Sequence, residues 1–262
     1  MTPTSMTRSR ANAVLCAATF VAFLGVGVGC STSSDNVPPG TTTSFYGVYT
    51  EESGAPGTIQ LSGISAPAAV AGASGAALGS AGDIIPLAGQ LTIAGQAPIS
   101  ISGSYDTGSG AINFTSDDQS YTFTGTVNGT VAAGTSKGPN GAGTFVLILG
   151  GTPATTAAYC GTAVCDPVGC TTTGSFNVAV SGSAAILTVN VNGAVGFGAG
   201  TATASTVDFH VVEGTADLTI HGDISGTDIG GTWSDANSGE SGTWSGSTAQ
   251  CTAAGFSRQA LR

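Results

Sequence analysis

The chain has 262 residues, of which 41% are apolar, so a sizeable core can be buried and disorder throughout is excluded. Only 8% are charged and 42 are glycine, which rules out long helices of Ala, Glu, Lys and Leu. There is no Gly-X-Y period and only one long apolar run, which excludes collagen and a multi-span membrane protein; a formal net charge of −10 offers no electrostatic footing for nucleic acid.

The first element in chain order is a leader. Residues 1–10 carry Arg8 and Arg10 and no acid. Ala11 to Gly29 form an apolar run broken only by Asn12 and Thr19, and it ends in Gly27-Val28-Gly29-Cys30. Basic start, apolar middle and small-residue junction are the grammar of an export signal. This stretch, about the first 30 residues, resembles a bacterial lipoprotein precursor. The resemblance implies removal of 1–29, acylation of Cys30 with chains such as palmitate, and anchoring in the cell envelope. With Ser31 rather than Asp next, it implies the outer membrane. Residues 30–43 hold almost nothing to bury and are expected to form a flexible tether. The exported chain would keep Lys137, Arg258 and Arg262 against 15 acids, 3 − 15 = −12, a balance that keeps a sparsely charged surface soluble.

From Phe45 onward, short runs of Thr, Val, Ile, Phe and Tyr alternate with Gly, Asn, Asp or Ser. The pattern predicts strands at 45–50, 57–62, 84–93, 98–105, 110–115, 120–127, 131–135, 143–149, 174–180, 184–191, 195–202, 206–212, 216–224, 228–234 and 241–246. No helical period separates them, so the expected fold is all-β: one antiparallel meander over 44–251, closed as a barrel or packed as a sandwich. Ala66 to Gly82 reads as a long loop or short helical plug, and 252–262 as a tail.

An offset of 64 residues aligns Val127-Asn-Gly-Thr-Val131 with Val191-Asn-Gly-Ala-Val195 and Phe145 with Phe209. This suggests a duplicated four-strand unit, with candidate halves 44–151 and 171–251. Keeping the valines of each Asn-Gly hairpin on one face calls for three loop residues and a bulge. Gly231-Thr-Trp-Ser234 recurs as Gly242-Thr-Trp-Ser245, and a turn at Ser238-Gly239 would set Trp233 opposite Trp244. The pair is a candidate sugar platform, although core or barrel-end packing is the commoner fate of such indoles.

Four cysteines besides Cys30 remain after export: Cys160, Cys165, Cys170 and Cys251. Outside the cytosol they read as one local disulfide and one long bridge to Cys251, tying the C-terminus to the connection between the halves. Their Cys-x₄-Cys-x₄-Cys spacing does not fit a zinc knuckle. A turn at Gly214-Thr215 would pair Asp208 with His221, His210 with Thr219 and Val212 with Asp217. One face then gathers Asp208, His210, Asp217, His221 and Asp223, a candidate metal or proton-binding face that otherwise reads as solvated sheet. Glu51-Glu52, Asp117-Asp118 and Glu213 fall at predicted turns and read as solvated acids. No nucleophile elbow is followed by a matching acid and histidine.

The functional expectation is a membrane-anchored envelope protein with a binding or scaffolding domain, without catalysis or cofactor. Its candidate partners are an envelope protein, a glycan or a small apolar ligand. One alternative is a carrier holding a small apolar ligand in a barrel cavity; another is a metal-binding protein or enzyme using His210 and His221. A filled lumen favours the first reading and a hollow one the carrier.

Overall fold

Period-two alternation sets the architecture. Along strands with one face to solvent, alternate residues bury Ile, Leu, Val and aromatic side chains while the residues between them are mostly exposed. A computed structural model describes residues 41–52, 55–64, 82–166, 173–191, 193–213 and 216–252. Strands β1 (Thr42–Glu51), β2 (Pro56–Ile64), β3 (Ile84–Ile93), β4 (Ile99–Asp106), β5 (Ala111–Ser116), β6 (Thr122–Asn128), β7 (Val131–Gly138) and β8 (Gly141–Leu149) form a first barrel. A second contains β9 (Ala157–Cys165), β10 (Thr173–Ser181), β11 (Ala184–Val191), β12 (Ala194–Ala202), β13 (Thr206–Glu213), β14 (Ala216–Ser225), β15 (Asp228–Asp235) and β16 (Ser241–Ser247). Each is an up-and-down antiparallel meander closed first strand to last, β1 on β8 and β9 on β16, so neither leaves an open sheet edge.

Both lumens are packed with side chains. In the first, Phe114 and Phe123 stack with ring centres 4.4 Å apart, and Phe145 meets them edge-on at 5.2 and 5.8 Å. A Cβ at Gly125 or Gly134 would lie 2.8 or 2.9 Å from the Phe145 ring, so these glycines make room for it. The second lumen holds Phe176, Leu187, Phe209, Ile220, Trp233 and Trp244.

The barrels pack wall to wall within one compact unit, β1 and β8 against β10, β11 and β12. Outward-facing Val48, Val146, Ile148, Ala179 and Ile186 are buried there with the Cys160–Cys251 bridge. Beside this apolar strip lies a polar clasp. Asn190 Nδ2 donates to the carbonyls of Glu51 (2.6 Å) and Glu52 (3.0 Å), Thr144 Oγ1 donates to the Gly196 carbonyl (3.2 Å), and Asn177 Nδ2 donates to Thr50 Oγ1. Carbonyls at a buried wall need such donors, because no water reaches them.

Several expectations are corrected. The repeating unit is eight strands, not four; the offset of 64 superposes β5–β8 on β10–β13, strands at different places in their barrels. The cysteine-bearing connection contains β9, which the sequence reading passed over and without which the second barrel would not close. At both Asn-Gly hairpins the loop has two residues, with Asn128 paired to Val131 and Val191 to Ala194. Gly129, at φ +60°, starts the first turn and no bulge is needed. Valine is not what the second barrel buries along β12: Gly196 is buried while Phe197 on the other face is exposed. Cys30, the tether up to residue 40, residues 65–81 and 253–262 lie outside the described residues.

Candidate functional site

Among the described residues, a concave site lies at one mouth of the second barrel, where β9, β11, β13 and β15 end. A cavity of about 70 Å³ is lined by Phe176, Val191, Leu218 and Trp233, with Asp235 and Glu240 as its acidic members. Asp235 is fixed by its turn: Oδ1 accepts the Asp217 and Asn237 amides, each at 3.0 Å, and Oδ2 accepts the Ser238 hydroxyl at 2.9 Å. Desolvation alone would raise its pKa, but these donors hold it below the ordinary aspartate value. The mouth therefore pairs an apolar, aromatic wall with a carboxylate that stays charged.

Trp233 and Trp244 do not face each other. Five residues, 236–240, separate β15 from β16, and Trp233 pairs with Gly242 and Trp244 with Gly231. Both indoles are buried in the lumen, with Trp233 Nε1 donating to the Val164 carbonyl (3.2 Å) and Trp244 Nε1 to that of His221 (3.0 Å). A Cβ at Gly222 would collide with the Trp244 ring, which explains a glycine between His221 and Asp223. Trp233 lines the mouth cavity.

The histidine face has the register read from sequence: Asp208 pairs with His221, His210 with Thr219 and Val212 with Asp217. It forms two separate pairs rather than one cluster. His210 Nε2 lies 2.7 Å from Asp217 Oδ1, His221 Nδ1 lies 2.7 Å from Asp208 Oδ1, and Asp223 stands 3.9 Å from His221 Nε2. The Asp208 hydrogen bond raises the His221 pKa above its usual value, opposed by slight burial and helped by the charges of Asp208 and Asp223. Among the described residues no group of three or more His, Cys, Asp or Glu side chains is arranged to hold a metal ion.

Cys160 is bonded to Cys251 across 91 residues, which is the long bridge expected. Cys165 is disulfide-bonded as well, and Cys170 lies outside the described residues.

Glu51 is a residue that sequence reasoning misjudged. Far from being solvated, it is fully buried at the opposite-direction mouth of the first barrel from Thr42, accepting the Tyr49 hydroxyl at 2.6 Å and Asn140 Nδ2 at 3.0 Å. Burial first, then the Glu51 carboxylate, pushes the Tyr49 phenol well above its ordinary pKa. The signal was present: Phe45, Gly47, Tyr49 and Glu51 share one parity, and that parity points inward. Asp118 is the solvated turn acid expected, held to a pKa of about 2 by the Ser116 and Ser120 hydroxyls.

Comparison with protein-family models, curated proteins and solved structures finds no match for this chain.

Proposed function

We propose that this is a lipid-anchored protein of the bacterial cell envelope, held by acyl chains on Cys30, whose tandem barrels bind or scaffold rather than catalyse. The observation that carries the reading is the buried Cys160–Cys251 bridge. Such long-range structural disulfides persist where the surroundings are oxidising, outside the cytosol, and the leader ending in Gly29-Cys30 provides the route there. No helix among the described residues is long and apolar enough to cross a membrane; the attachment proposed is covalent lipid on Cys30, from the leader's resemblance alone. Acyl chains contribute about 0.8 kcal/mol per buried CH₂, and two or more chains hold firmly. Mass spectrometry of the native N-terminus tests this: an acylated Cys30 as first residue is expected, and an intact leader on a soluble product overturns it.

A second reading, capture of a small apolar group, is favoured by the cavity beside Phe176 and Trp233. Its volume suits a ring or short chain rather than a whole lipid, because both lumens below are filled. Indole added to the protein should perturb Trp233 emission, and Leu218→Trp, which fills the space, should abolish the effect. Unchanged emission in the parent protein removes the reading.

A further inference from the structure

Away from the strip that packs on the second barrel, the outer wall of the first barrel is largely polar. Outward positions read Ser100, Ser102 and Ser104 on β4, Asn113 and Thr115 on β5, and Thr122, Thr124 and Thr126 on β6. One place breaks the rule. On β3 the successive outward residues are Ile84, Pro86 and Ala88, all exposed, and Ile64 at the end of β2 is exposed beside them. At 71% and 63% exposed, Ile84 and Ile64 are among the most exposed large apolar side chains described. A run of apolar residues on the solvent face of an otherwise Ser/Thr-rich sheet is a surface meant for a partner.

Its position identifies the partner. Thr42, where the chain enters β1 from the leader side, pairs directly with Ile64. The patch thus borders the rim at which the path from Cys30 arrives, and residues 31–41 can span at most about 40 Å. We propose that this rim, through Ile64, Ile84 and Pro86, rests on the lipid surface in which Cys30 is anchored. The inference rests on the lipid-anchor reading above. Attachment at Cys30 supplies proximity, and the patch then decides which end of the molecule faces the bilayer. Asp83 and Asp106 flank the patch, so the surface that fits is zwitterionic rather than anionic. With this rim down, the cavity at Phe176 and Trp233 and the Glu51 mouth both open away from the membrane, since they lie at the opposite strand ends.

The test uses residues 30–262 with a histidine tag in place of the leader, docked on phosphatidylcholine vesicles containing a nickel-chelating lipid, with brominated chains as quencher. The artificial tether makes the outcome independent of whether Cys30 is acylated in the cell, which N-terminal mass spectrometry reads separately. Ile84→Trp reports from the patch and Asp117→Trp from the opposite mouth; the parent protein, with both indoles buried, is the blank. Brominated lipid should cause a loss of I84W emission and none for D117W. Equal quenching of the two overturns the proposal, and so does quenching of neither with the protein floating on the vesicles. The latter outcome would mean that another part of the chain covers the patch.

Discussion

The two barrels share strand number, topology and closure but solve the problem of a small lumen differently. The first fills its interior with a contiguous aromatic stack around Phe114, Phe123 and Phe145, with glycines on β6 and β7 giving way to the rings. The second sets Phe176, Phe209 and two indoles among its aliphatics, with Gly222 and Gly242 lying against Trp244 and Trp233, leaves a cavity at its mouth, and has a disulfide staple that fixes the chain end to its closing strand. A lumen closed by dense packing is its own support, whereas one with space left in it is held in addition from outside. The space beside Phe176 and Trp233 is what the ligand-capture proposal uses.

This contrast can be broken at the staple, where the largest effect is expected. Cys251→Ser opens a loop of 91 residues, for which the chain-entropy model gives a loss of about 4–5 kcal/mol. Denaturant unfolding followed through Trp233 and Trp244 should show it, since both indoles belong to the second barrel. Next is the packing itself. Phe123→Ala removes a ring in contact with four others and should cost about 3–5 kcal/mol; because the site is in the first barrel, tyrosine signals should move to lower denaturant before the indole signal does. A smaller effect is expected at the clasp. Asn190→Ala leaves the Glu51 and Glu52 carbonyls without their donor, at about 1–3 kcal/mol, and should split one unfolding transition into two. A single transition after that change would mean the apolar strip around Val48 and Ile186 couples the barrels unaided.

How much of this was legible in the sequence differs between elements for physical reasons. The β13–β14 register was readable because Val207, Phe209 and Val211 alternate strictly with Asp208 and His210, and a one-residue slip would bury charge. The β6–β7 and β15–β16 hairpins misled because glycine carries no hydropathy signal. Gly134 and Gly242 are inward or ladder positions chosen for the bulk of Phe145 and Trp233 opposite them, which only the packed barrel reveals. Strand β9 was missed because Cys160 and Cys165 drew attention as bridge residues, yet Tyr159, Gly161 and Ala163 carry the inward alternation around them. Glu51 left only the trace of its parity with Phe45 and Tyr49, whereas the mouth cavity depends on residues brought together from β10, β14 and β15, contacts with no local trace in the chain.

The smallest predicted effect is at the surface of the second barrel and has a definite sign. His221 faces Asp208 at 2.7 Å and Asp223 at 3.9 Å, and its strand neighbour on β15 is the uncharged Thr232. Its pKa is raised in the folded protein, foremost by the Asp208 hydrogen bond. A raised folded value means that the folded state holds the proton more tightly than the unfolded chain, whose histidine titrates near the ordinary 6.5. The contribution to stability is therefore fully present below that pH and disappears as pH rises through the higher folded value. Asp208→Asn should lower the Tm at about pH 5.5 and leave it nearly unchanged at about pH 9. The gap should shrink in 1 M salt, because the pair is exposed and screened. An equal loss at both pH values would show that Asp208 acts on strand packing, and through His221 on the Trp244 indole bonded to its carbonyl, rather than through charge.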